Sequence, residues 1–326
     1  MKIIVQTGRK LTVCSFLICI YFVSSTASAS LYESLAPKKV NVGSSAMTYV
    51  DVGVGTPIIF IHGWSSHKGY WKEQIDAFSG SNRVIAYDWR GMGDSNGGDK
   101  SYEFSELIED LRFFIESLNL KQKPILVGHS LGGLQAMHFA STYPDVPAAI
   151  ISVDAPGRDS LITGRMMYWA MSATYALTSF LTDYNANALQ MPFNRFFFYS
   201  SEFIETHDSF INAWEEQFKS NSVDSLINSF RAMTFRIRTV KPVNGVSALF
   251  VMGSEDRFIS QSQTEDYASL FPGSKLEIIF GAGHMSSEEK PEYFNKLLET
   301  FIDETIPNHA TNKLVHTKDV GEELNR

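Results

Sequence analysis

The stretch PILVGHSLGG, residues 124–133, runs an apolar segment straight into three glycines that surround one serine. A buried strand that reverses sharply into a helix holds the residue at the turn in a strained conformation. Its side chain is then pushed out above the sheet edge. Gly128, Gly132 and Gly133 keep Cβ atoms out of the crowded space around Ser130. The spacing G-x-S-x-G recurs by chance in Gly-rich turns, so the rest of the chain decides its meaning.

Five further runs share this form: TPIIFIHGW, RVIAYDWRG, AAIISVDAPG, ALFVMGSED and KLEIIFGAGH. Each has several apolar residues and then a polar or glycine-rich end, as strands buried on both faces do. AMTYVDVG alternates like a half-exposed strand. Helical periodicity lies between the runs, in EFSELIEDLRFFIESLNL, LGGLQAMHFASTY, SQTEDYASLF and PEYFNKLLETFIDE. This alternation predicts an α/β fold, a mostly parallel sheet flanked by helices. Ligands in such sheets bind beyond the carboxyl ends of the strands, where His62, Asp88, Ser130, Asp154, Asp256 and His284 all fall.

Residues 157–244 break the rhythm. The interval has no buried-strand signal, whereas RMMYWAMSATYALTSFL and HDSFINAWEEQFKSN are helical in pattern. The 84 residues from Gly157 to Val240 hold 16 aromatics, against 42 in all 326, so the insert is richer in rings than the chain. We expect a helical cap over the functional edge of a core made of residues 30–156 and 245–306. Residues 307–326 read as a loose, polar tail.

The N-terminus carries Lys2, Arg9 and Lys10, the 13-residue apolar run LTVCSFLICIYFV, and small residues at Ala27 and Ala29. That pattern predicts an export signal over residues 1–29 and a periplasmic or secreted mature protein. The apolar run is short for a membrane span, and no other segment looks transmembrane. Both cysteines, Cys14 and Cys19, lie in that segment, so the mature chain must be stable without disulfides. Losing three basic and no acidic residues takes the formal net charge from −8 to −11. An acidic chain without a basic cluster is a poor partner for nucleic acid. No metal-ligand spacing or phosphate-binding loop appears, so no cofactor is expected.

A serine hydroxyl is a weak nucleophile and needs a base, itself oriented by an acid. His284, in the glycine-flanked loop FGAGHMSSEE, is the candidate base. His129 adjoins the serine, but its side chain must diverge from it. His138 reads as helix packing, and His67 as a loop residue. Asp256 in VMGSEDRF is the favoured acid, 28 residues before His284; its neighbour Glu255 points elsewhere from the same turn. Asp154, one strand earlier, remains the alternative, either as acid or as a cap on its turn. The oxyanion of a tetrahedral intermediate needs donors. The backbone N–H groups of Leu131, at a helix N-terminus, and Trp64, in the HGW loop, are the candidates. Trp64, Met166, Met167 and Trp169, with Phe196 to Phe198, are candidate walls of an apolar substrate pocket.

Together the elbow, the HG loop, DWRGMGDS (Asp88 to Ser95) and the order Ser130, Asp256, His284 resemble the α/β-hydrolase superfamily over nearly the whole mature chain. The resemblance implies a capped, esterase- or lipase-like serine hydrolase. In that family Asp88, Arg90 and Ser95 serve architecture. Epoxide hydrolases and haloalkane dehalogenases of the fold carry aspartate where this chain has Ser130, and the HGGPG loop of proline iminopeptidases is replaced by HGWSS. The leading expectation is hydrolysis of small or medium apolar carboxylic esters, lactones or thioesters through an acyl-enzyme. A carbon–carbon bond hydrolase with the same triad, or a ligand-binding or sensing protein on the same fold, are the alternatives.

Overall fold

The computed structural model describes residues 30–43, 45–96, 102–157, 191–220, 225–229, 231 and 240–306. The expected export signal, the tail, and Met166, Met167 and Trp169 lie outside the described residues. The described strands are β1 (Lys38–Val42), β2 (Ser45–Val52), β3 (Thr56–Ile61), β4 (Asn82–Tyr87), β5 (Ile125–His129), β6 (Ala149–Val153), β7 (Ser247–Gly253) and β8 (Lys275–Ile279). They form one sheet in the order β1-β2-β4-β3-β5-β6-β7-β8, in which only the β1–β2 and β2–β4 pairs are antiparallel.

The central strands are continuous apolar runs because both of their faces are covered. Ile59 and Ile61 of β3 face one core with Leu126 of β5, while Ile58 and Phe60 face the other with Ile125 and Val127. The first core takes Leu107 and Leu111 of the helix Phe104–Ser117, and Leu134 and Met137 of the helix Leu131–Thr142. The second takes Ile75 of the helix Lys72–Phe78, and Phe294 and Leu298 of the helix Pro291–Thr305. In order, α1 is Leu31–Ser34, α2 Lys72–Phe78, α3 Phe104–Ser117 and α4 Leu131–Thr142.

Strand order reverses at β3. The chain moves from β3 to β4 on one side and then returns to place β5 on the other, which opens the crevice where such sheets bind ligands. Pairing sets Ile61 beside Gly128, His129 beside Val153, Val153 beside Val251, and Gly253 beside Ile279. The segments leaving β3, β5, β6, β7 and β8 therefore emerge side by side along one edge.

Between β6 and β7 the described residues include the helices α5 (Met191–Phe198), α6 (Ser201–Thr206) and α7 (Asp208–Ser220), and residues 225–229 are helical. Bonds to the strand-end loops tie this insert down. The Arg257 guanidinium donates to the carbonyls of Phe196 (2.5 Å) and Tyr199 (2.9 Å) and to Ser201 Oγ (2.7 Å). The Glu289 carboxylate accepts from the N–H groups of Ser200 (3.1 Å) and Gly283 (2.9 Å). The remaining helices are α8 (Gln261–Ala268), α9 (Ser286–Glu289) and α10 (Pro291–Thr305).

The one-turn helices α1 and α9 escape the sequence reading, and so do β1 and α2. β1, KKVNV, is an edge strand with one buried residue, so it shows no apolar run. α2 is seven residues long, too short for a helical period to stand out.

Backbone contact at the β5–α4 turn leaves no room for a side chain. A Cβ on Gly128 would lie 2.1 Å from the Gly132 carbonyl oxygen, and one on Gly132 would lie 2.3 Å from that of Ile61. Main chain meets main chain in both places, so no side chain can turn aside. Gly128→Ala should therefore lower stability by about 1–3 kcal/mol through overpacking. Gly80→Ala, where nothing lies within 4 Å of the added methyl, should change it by no more than about 0.5 kcal/mol. Equal urea midpoints for the two variants would contradict this account of the turn.

Candidate active site

Ser130 sits between β5 and α4 with φ 51° and ψ −117°, a region in which a non-glycine residue typically stores ~1–3 kcal/mol of strain. Its N–H continues the ladder to the Val153 carbonyl (2.7 Å), and its carbonyl accepts from Leu134 N–H (3.1 Å) to start the helix. The serine hydroxyl makes no cap bond to α4. It points instead to His284, whose Nε2 lies 3.0 Å from Ser130 Oγ.

The other ring nitrogen, Nδ1, is 2.7 Å from Asp256 Oδ2. Asp256 leaves the end of β7, and its Oδ1 accepts from the N–H groups of Phe258 (2.7 Å) and Ile259 (2.9 Å). A carboxylate only accepts, so Nδ1 carries the proton and the Nε2 lone pair faces the serine hydroxyl. Burial pushes the His284 pKa down, but the Asp256 charge and hydrogen bond, with Asp154 and Glu289 behind them, outweigh it and leave the imidazole above its usual value.

Asp154, the alternative left open by chain order, does not reach the imidazole as a hydrogen-bond partner. Fully buried at the end of β6, it accepts from Gly253 N–H (2.8 Å) through Oδ1, and from Ser286 Oγ (2.6 Å) and N–H (3.3 Å) through Oδ2. It thus ties the strand that carries Asp256 to the loop that carries His284. Burial and the nearby Asp256 charge hold its pKa well above the ordinary carboxylate range. Glu255 is exposed. His138 packs edge-on against Phe104, with ring centroids 4.9 Å apart, and the His67 side chain accepts from Gly69 N–H (3.2 Å) to start a short helical turn.

The loop after β3 lies against the elbow. A Cβ on Gly63 would stand 3.1 Å from Ser130 Cβ, which brings the following Trp64 backbone to the side of the serine opposite the sheet neighbour β6. His62 holds this loop: its Nδ1 is 2.7 Å from the Gly63 carbonyl, Nε2 accepts from Trp89 N–H (3.1 Å), and the ring stacks on the Trp89 indole. Both bonds need a neutral ring, and burial lowers the His62 pKa to about 4. Leu131 opens α4, whose first N–H groups have no partner within the helix. The Trp64 indole donates to the Leu226 carbonyl and to Ser229 Oγ, both at 3.1 Å, and so fastens the helical insert to the loop beside the serine.

The DWRGMGDS segment is an architectural turn. Asp88 accepts from Lys68 Nζ (2.8 Å), Lys68 N–H (2.6 Å) and Asp94 N–H (2.9 Å). Arg90 makes a two-pronged bond to Asp110, and Ser95 bridges the Asp88 carbonyl and Thr48 N–H. Of the three phenylalanines expected in the pocket wall, Phe198 does face the site, stacked 5.5 Å from the His284 ring at 29°. Phe196 is 54% exposed and lies over the Arg257 guanidinium. Phe258, which the sequence reading did not single out, meets His284 edge-on at 5.5 Å. Its place beside the acid in the EDRF turn was the available signal. Among the described residues no group of three or more His, Cys, Asp or Glu is arranged to hold a metal ion.

Residues 56–291 match the family model described as alpha/beta hydrolase fold. The AB hydrolase superfamily protein YfhM of Bacillus subtilis (strain 168) is 26% identical over 265 residues, which cover 76% of this chain and 90% of that protein. Epoxide hydrolase 2 of Caenorhabditis elegans is 24% identical over 289 residues, 82% of this chain and 80% of that one. A thermophilic esterase from Thermogutta terrifontis superposes with a TM-score of 0.71 at 21% identity, covering 83% of this chain and 99% of the other. At that identity the superposition speaks for the fold alone.

Asp256→Asn removes the charge that stabilises an imidazolium and favours the wrong tautomer; turnover should fall by about 10³–10⁴. Asp154→Asn should cost about a few-fold, compared at matched folding by circular dichroism. The reverse ranking would move the acid one strand earlier. Only the neutral imidazole accepts the serine proton, so a raised His284 pKa places the acidic limb of kcat/KM with its midpoint above the ordinary histidine value of ~6.5. Activity should be lost as pH falls through that midpoint. A flat profile from about pH 5 to 8 in folded protein would contradict a histidine base.

Proposed function

The chain belongs to the alpha/beta-hydrolase fold family, and on that premise we propose that it is an exported serine hydrolase of small or medium apolar carboxylic esters, lactones or thioesters. The observation that carries this reading is the unbroken hydrogen-bond chain from Ser130 Oγ through His284 to Asp256. Family membership alone does not choose a reaction, because relatives carry names as different as esterase and epoxide hydrolase. Serine at position 130 favours acyl transfer over the aspartate chemistry of the epoxide-hydrolase branch.

In the proposed cycle Ser130 Oγ attacks the substrate carbonyl carbon while its proton passes to His284 Nε2. Asp256 holds the resulting imidazolium. The carbonyl oxygen, now an anion, accepts from the Leu131 and Trp64 N–H groups. Collapse breaks the bond to the leaving group, which takes the proton from His284. Water then attacks the acyl-enzyme, gives its proton to His284, and releases the acid as Ser130 regains its hydroxyl.

The preference for apolar acyl groups rests on Phe198 and Phe258 beside the base, on the ring-rich insert, and on Met166, Met167 and Trp169 as proposed walls. Residues 1–29 are proposed as the export signal, so the mature protein would begin at Ser30.

A p-nitrophenyl ester panel of graded acyl length tests the reading, with Ser130→Ala as control. Each methylene that enters the pocket should contribute up to about 0.8 kcal/mol, about fourfold in kcat/KM. Butyrate should exceed a succinate monoester, and Ser130→Ala should lose about 10⁴–10⁶ in turnover. Covalent labelling of Ser130 by a fluorophosphonate without turnover of any ester would favour carbon–carbon bond hydrolysis or a binding role. Near-normal turnover in folded Ser130→Ala would overturn the nucleophile.

A further inference from the structure

Beside the nucleophile sits a second buried histidine that the proposed cycle does not use. His129 ends β5 and is 3% exposed. Its Nε2 lies 2.8 Å from the main-chain carbonyl of His284, 155 residues along the chain. One face of the ring stacks on Tyr70 at 4.6 Å and 22°, and the His284 ring lies 5.1 Å away. Tyr70 is pinned in turn, its hydroxyl 2.7 Å from Ser287 Oγ in α9, which begins two residues after His284.

A carbonyl oxygen only accepts, so His129 Nε2 must carry the proton and Nδ1 must be bare. Nδ1 is buried without a partner, and a Cβ on Gly63 would stand 2.9 Å from it. His129 therefore has no free lone pair open to substrate, and it is not a second base. Burial, then the charge of a protonated His284, hold its pKa well below the usual histidine value. A neutral neighbour matters in this place. During acylation His284 becomes cationic, and a second cation about 5 Å off would oppose that step.

We propose that His129 is a positioning residue for the base: its Nε2–H bond to the His284 carbonyl holds the main chain of His284 so that Nε2 of that imidazole stays within reach of Ser130 Oγ. Asp256 fixes the rotation of the imidazole, and His129 fixes where the ring is carried. The elbow thus positions its own general base through the residue immediately before the nucleophile. This inference rests on the serine-hydrolase reading above.

The test compares His129→Phe, which keeps a ring on Tyr70 but deletes the donor, with His129→Gln, whose Nε2 stands the same number of bonds from Cβ and retains an N–H. His129→Phe should lower kcat, and the second-order rate of fluorophosphonate labelling, by up to about 10²-fold with KM nearly unchanged, and His129→Gln should restore most of both. Imidazole ¹⁵N NMR of the wild-type protein supplies a readout that needs no variant to fold. His129 should remain a neutral Nε2–H tautomer at pH values where His284 titrates. Full activity in His129→Phe, an equal loss in His129→Gln, or titration of His129 alongside His284 would each overturn the inference. If the fluorophosphonate fails to label wild-type Ser130, the serine-hydrolase reading fails first. If wild type labels and Ser130→Ala does not, while His129→Phe labels at the wild-type rate, only the role of His129 is lost.

Discussion

At Gly132 the backbone of α4 comes so close to β3 that an added methyl would stand 2.3 Å from the Ile61 carbonyl oxygen and 2.6 Å from that of His62. This approach forces the chain to reverse within one residue, and that residue is Ser130, held at φ 51°. The same crowding brings the His62–Trp64 loop against the serine from one side, while the bond from Ser130 N–H to Val153 anchors it to β6 on the other. Strained at the apex, the hydroxyl is left without a helix-capping role and faces His284. The position of every other group in the site follows from where the sheet sets this turn.

Around the turn, polar groups are buried in an arrangement that keeps opposing electrostatic effects close to balance. Burial alone would lower the His284 pKa and make the imidazole a poor acceptor for a transferred proton. Asp256, held by two backbone N–H groups, reverses that tendency. Asp154, equally buried, contributes through geometry: it joins the end of β7 to Ser286. His129, held neutral by burial, places an uncharged donor beside His284, where in the proposed cycle a second cation would oppose proton transfer, and His62, likewise neutral, holds the loop after β3. The helical insert is bonded to these same loops through Arg257, Glu289 and Trp64. Any movement of the insert would therefore be felt at the loops that carry Asp256 and His284.

Much of this was legible in the chain, for identifiable reasons. Strands buried on both faces announce themselves as apolar runs, so β3 to β7 could be found, as could the polar residues just beyond their ends; β8, a partly exposed edge strand, was expected to be buried on both faces and is not, although its short apolar run still marked it. β1 and α2 could not, since an edge strand with one buried residue and a two-turn helix carry too little pattern. Ser130 and His284 stood out by their glycine surroundings. The partner of His284 did not, because Asp154 and Asp256 both follow strands in the right order, and only the three-dimensional turn after β7 puts one of them at Nδ1. His129 shows the same limit more sharply. Adjacency to the serine implied that its side chain diverges, but the carbonyl it reaches lies 155 residues away, a separation that no local pattern encodes.

In the proposed cycle Ser130 attacks as a nucleophile and carries the acyl group between two half-reactions. Rapid acid quenching during turnover of a p-nitrophenyl ester, followed by peptide mass spectrometry, reads this directly. The expected result is one acyl group, of the mass of the substrate acid less water, on the peptide that spans the elbow, with fragmentation placing it on Ser130. Ester turnover without any covalent adduct, or with the acyl group on another residue, would contradict it.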